Sequence, residues 1–64
     1  MTQKELLYYE DAIGHEENII KICEESVLYL EDADLISFFQ KEIKKHTNTK
    51  DKLIKLLKEK SNDW

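Results

Sequence analysis

The chain has 64 residues, so we expect one small domain and neither a second domain nor a full enzyme scaffold. Hydrophobic residues make up 41% and charged residues 38% of the sequence, a balance that excludes a disordered chain. The net charge of −4 and the absence of arginine argue against nucleic acid as a partner. No apolar run approaches the roughly 18 residues of a membrane span, which argues against a membrane partner.

The first predicted element is a helix over residues 3–30. Thr2 is its predicted N-cap, and Glu5, three residues later, completes a capping box. We call the side of each helix that packs against the other helix its seam. Seam positions recur at alternating steps of three and four residues, which is the spacing of a packed helix and not of a strand. The seam of the first helix is formed by Leu6, Tyr9, Ile13, Glu16, Ile20, Cys23, Val27 and Leu30.

A second helix is predicted over residues 33–60, after a break in residues 30–34. Asp32 can cap this helix, and Asp34 falls in its positive first turn. Residues 46–49 are poor helix formers, so a kink near 47–49 or a third helix capped by Asn48 is the alternative to one continuous helix. We predict one helix because its seam runs through without a break: Ile36, Phe39, Ile43, His46, Lys50, Leu53 and Leu57.

The two seams match each other as an antiparallel hairpin. In an antiparallel hairpin with its turn near Asp32, the numbers of two facing residues add up to a constant. In this register nearly every apolar residue of one seam faces an apolar residue of the other. The exceptions lie in the middle, where Glu16 meets His46 and Ile13 meets Lys50. Residues 1–34 carry ten acids and two lysines, a balance of −8, whereas residues 35–64 carry four acids and eight lysines, a balance of +4. This asymmetry favours pairing of the acidic helix with the basic one.

A second stripe on the first helix predicts self-association. It lies one residue before the seam, and the two stripes form one broad apolar face that a single partner helix cannot cover. A lone hairpin of this size also buries too little apolar surface to offset chain entropy. We therefore predict a homodimer that forms a four-helix bundle, with a different protein as the alternative partner. The stripe consists of Tyr8, Ala12, His15, Ile19, Ile22, Ser26 and Tyr29, with a weaker set in Leu35, Phe38, Ile54 and Leu56.

Carboxylates and imidazoles cluster near the middle of the predicted hairpin. Such side chains on facing helices are the ligands of carboxylate-bridged metal bundles, so a site for Fe, Mn or Zn is an alternative function. The spacing argues against a metal site, since di-iron bundles place Glu and His three residues apart (Glu-x-x-His), whereas the acid and the histidine of each pair in this chain are four residues apart. Lysines nearby also oppose a divalent ion. We expect no cofactor; the candidate ligands are Asp11, His15, Glu16, Glu42 and His46.

No other cluster in the sequence points to catalysis. The lone Cys23 has no base at helical spacing and is predicted to be a buried, small apolar residue. It cannot form an internal disulfide, which is typical of a reducing compartment, and no secretory leader pattern is present. There is neither a glycine-rich loop nor a nucleophile–base pair. We therefore predict a cytoplasmic protein that is not an enzyme.

Three segments form a pattern found in known proteins: residues 6–16 (LLYYEDAIGHE), residues 37–40 (SFFQ) and the lysine-flanked His46. In this pattern the chain resembles small ferritin-like helical hairpins of spore-forming, low-GC bacteria, including relatives of the spore coat protein F family. The resemblance implies a ferritin-like bundle, an intracellular or spore-associated setting and, often, no assigned activity. The chain departs from it in lacking Glu-x-x-His. The combined interpretation is a non-catalytic structural or protein-interaction module.

Overall fold

Residues 1–61 are described by a computed structural model and form two helices packed against each other. The first, α1, runs over Gln3–Tyr29 and the second, α2, over Ala33–Ser61. The three residues between them reverse the chain, so the helices are antiparallel and the molecule measures 48 × 15 × 11 Å. The predicted all-α helical hairpin is confirmed, and both helices end within one residue of the predicted positions.

The start of α1 is stabilised by the predicted capping box. The backbone N–H of Glu5 donates to Thr2 Oγ1 at 3.1 Å, and the backbone N–H of Thr2 donates to Glu5 Oε1 at 3.0 Å. Two of the helix-terminal N–H groups that lack intrahelical partners are thereby satisfied. Because these bonds form within the first turn, the sequence pattern alone identified them.

The connection between the helices needs no glycine. Leu30 ends α1 in an extended conformation, with φ −86° and ψ 143°, and residues 1–61 contain no positive φ. Asp32 Oδ1 then accepts from the backbone N–H groups of Asp34 at 2.9 Å and Leu35 at 3.0 Å. This confirms Asp32 as the cap of α2.

The second helix is continuous through its poorest helix formers. Thr49 Oγ1 donates to the carbonyl oxygen of Lys45 at 3.1 Å, so the hydroxyl is satisfied within the helix. Asn48 therefore begins no third helix, and the single-helix prediction is confirmed. Ser61 is the last helical residue, and residues 62–64, where we predicted fraying, lie outside the described residues.

The hairpin has almost no closed core. Among residues 1–61 only Cys23 is buried, with 6% of its surface exposed, as predicted for a small apolar residue. The other seam residues of both helices are half-buried. Two helices alone cannot surround a side chain, because each residue of the seam is covered from one direction only.

Candidate functional site

The middle of the hairpin contains a polar layer centred on His46. Its Nδ1 lies 2.5 Å from Glu16 Oε2 on α1, which confirms the predicted pairing of these two residues across the seam. Its Nε2 lies 3.4 Å from Glu42 Oε2, one turn earlier on α2. The imidazole therefore sits between two carboxylates, and all three side chains are partly shielded from solvent.

This layer is arranged as a network of polar contacts around one imidazole and not as a converging ligand set. The two carboxylates contact different ring nitrogens of His46, whereas an imidazole binds a metal through one nitrogen. Asp11 and His15, the other candidate ligands, are exposed. Within residues 1–61 no three His, Cys, Asp or Glu side chains are grouped so that they could hold a metal ion. The layer can pair charge across the seam and fix the register of the helices.

Lys50 provides a second ionic contact that the sequence did not indicate. Its Nζ lies 3.8 Å from Glu17 Oε2 on α1. From the register we expected Lys50 to lie opposite Ile13; the amino group at the end of its long side chain reaches an acid on the flank of α1. The signal available in the sequence was an acid one residue beyond the seam, within reach of a lysine side chain.

The second stripe of α1 and the apolar residues near the two ends of α2 lie on the same side of the hairpin. Tyr8, Tyr9 and Ala12 line a shallow depression together with Leu53 and Leu56, so the two helices present these side chains to the same side. We call this surface the apolar face. Its members on α1 are Tyr8, Ala12, Ile19, Ile22, Ser26 and Tyr29, and those on α2 are Leu35, Phe38 and Leu56.

Large side chains of the apolar face are open to solvent. Tyr8 is 62% exposed, Ile22 53% and Phe38 55%. Phe38 is held against Phe39 of the seam in an edge-to-face pair, with ring centroids 5.7 Å apart. The predicted member Ile54 does not belong here, because it lies two residues, or about 200°, from Leu56 on the same helix.

The edges of the hairpin differ in charge. On α2, a shallow depression is lined mainly by lysines, namely Lys41, Lys44, Lys45 and Lys52, with Asn48 and Thr49 between them. On α1, Asp11 and Glu25 are exposed. The lysine-rich depression lies beside the apolar face, because Lys52 also lines a depression with Leu56, whereas Glu25 lines a depression with Leu28 away from this face.

No protein-family model, curated protein or solved structure matches this chain. Neither helix in the described part of the chain has an apolar stretch long enough to cross a bilayer. The candidate site is therefore interpreted from its own geometry.

Proposed function

We propose that the protein is a non-catalytic structural or protein-interaction module, and that its apolar face pairs with that of a second copy in a four-helix homodimer. The observation that carries the proposal is a set of exposed apolar side chains on one side of a hairpin in which only Cys23, among residues 1–61, is buried. Large apolar side chains exposed together on one side are typical of an interaction site. A second hairpin provides the missing half of the core.

The accessible surface supports this proposal quantitatively. The chain exposes 5118 Å², whereas a compact monomer of 7.7 kDa exposes about 4,300 Å². The excess of about 800 Å² equals the area that one partner buries in a standard protein interface. One face-to-face contact is therefore enough to give each hairpin an ordinary ratio of surface to mass.

The chemistry of the polar side chains supports a non-catalytic role. The Cys23 thiol is buried, and both ring nitrogens of His46 face carboxylates. Neither group is presented to a substrate. The resemblance to ferritin-like hairpins related to spore coat protein F favours a structural role in a spore-associated or intracellular setting.

The proposal is tested by sedimentation equilibrium of the full chain between about 0.1 and 100 μM, with helicity followed by circular dichroism over the same range. We expect twice the monomer mass of 7.7 kDa, and a coupled loss of mass and helicity on dilution. A monomer that stays helical throughout would refute the homodimer and would favour a different protein as the partner.

A further inference from the structure

We propose that the two copies pair about a two-fold axis parallel to the helices, so that α1 of each copy lies against α2 of the other. Both interhelical connections then lie at the same end of the bundle. This inference rests on the proposed homodimer and adds the arrangement of its chains. It is carried by the opposite net charges of the two helices.

Symmetry leaves two ways to pack the apolar faces of two identical hairpins with aligned helices. If the two-fold axis runs along the helices, each α1 faces the partner's α2 and the connections share one end. If the axis runs across the helices, α1 faces α1, α2 faces α2, and the connections lie at opposite ends. Neighbouring helices are antiparallel in both, so helix dipoles do not distinguish the arrangements.

The net charges of the two helices distinguish the two arrangements. Between Gln3 and Tyr29, α1 carries seven acids and two lysines, a balance of −5. Between Ala33 and Ser61, α2 carries four acids and eight lysines, a balance of +4. An axis across the helices places −5 against −5 and +4 against +4. An axis along them places opposite charges together at both new contacts.

The levels of individual residues agree with a two-fold axis along the helices. Rotation about an axis along the helices preserves height, so residues level within one hairpin are also level between copies. The Glu16–His46 contact defines that level, because 16 and 46 sum to 62. Asp11 is then level with the partner's Lys52. Lys52 lines both the lysine-rich depression and the depression that contains Leu56 of the apolar face.

Spin labels separate the two arrangements. In a Cys23→Ala background, one label replaces Ala33, which begins α2 and is exposed; a control label replaces Lys44, which is exposed near mid-height. With helix axes 8–10 Å apart, the Ala33 labels in one dimer are about 10–25 Å apart in the proposed arrangement. They are about 40 Å apart if the connections lie at opposite ends, since α1 has 27 residues.

The control label identifies which proposal fails. Short distances at both positions support the arrangement. A long distance at position 33 with a short one at position 44 overturns the arrangement and leaves the homodimer intact. No dipolar coupling at either position, at a concentration where sedimentation finds no dimer, overturns the homodimer and this inference with it.

Charge reversal tests the same arrangement without replacing Cys23. One variant is Asp11→Lys, and the other is Lys52→Glu. The proposed arrangement predicts that each variant alone dimerises at least about tenfold more weakly than wild type, and that an equimolar mixture recovers wild-type affinity. Homodimers of unchanged or higher affinity in both variants would overturn the arrangement, because an axis across the helices places like-charged helices together and each substitution then lowers their repulsion.

Discussion

Ile22 offers the most direct test of the apolar face, because about half of its surface is exposed in the single hairpin and would be buried in the dimer. It lies in the middle of the second stripe of α1 and is 53% exposed. Complete burial of an isoleucine side chain stabilises by about 1.5–3 kcal/mol, so covering the exposed half contributes about 1–1.5 kcal/mol. The two-fold axis doubles this to about 2–3 kcal/mol per dimer, since both copies contribute the residue.

We therefore expect Ile22→Glu to raise the dimer Kd by about 100-fold or more. About 2–3 kcal/mol of lost burial alone corresponds to roughly 30–150-fold, and a carboxylate without a partner in the interface adds a desolvation cost. Helicity should fall together with mass, because the monomer lacks a closed core. The measurement is sedimentation equilibrium with circular dichroism on the same samples.

Leu28→Glu is the matched control. Leu28 is 77% exposed, but it lies away from the apolar face and borders a depression with Gln40 and Ile43. A charge at this position stays in water, so the dimer Kd should remain within about threefold of wild type. Equal weakening by Ile22→Glu and Leu28→Glu would refute the reasoning, since it would show that the second stripe is not the contact surface.

Three further predictions concern single sites. Gly14→Ala should raise the free energy of unfolding by about 0.5–1 kcal/mol in urea titrations, because no atom outside its chain neighbours and the adjacent helix backbone lies within 4 Å of the added Cβ; a decrease would mean that a partner covers Gly14. The hydrogen bond from the backbone N–H of Thr2, and after it the one with the Thr2 side chain, lowers the pKa of the Glu5 carboxyl. The ionised carboxylate therefore stabilises the folded state fully at pH values above the ordinary pKa, and this stabilisation is lost as the pH falls through the lowered pKa. NMR titration should find the lowered midpoint, and Glu5→Gln should remove that part of the pH dependence. Finally, Fe²⁺, Mn²⁺ and Zn²⁺ should leave the melting temperature unchanged; a rise at stoichiometric metal that both Glu16→Ala and His46→Ala abolish would establish the metal-binding alternative.

The sequence by itself determined the helices, their ends and their register. The capping box of Thr2 and the cap at Asp32 depend on bonds within one turn, so a few neighbouring residues suffice to identify them. The seam depends only on the helical period of 3.6 residues per turn. Because this period is unbroken near Asn48, it predicted that α2 continues through the poor helix formers there. A constant sum of residue numbers then placed Glu16 against His46.

The tertiary structure decided which of several possible partners each flexible side chain contacts. Glu42 shares His46 with Glu16, and the Lys50 amino group reaches Glu17 on the flank of α1. A periodic pattern assigns a side chain to a face, but a long side chain can reach several groups from that face. How much of Ile22 and Phe38 stays exposed also became known only from the packed hairpin, because exposure depends on every neighbouring group at once.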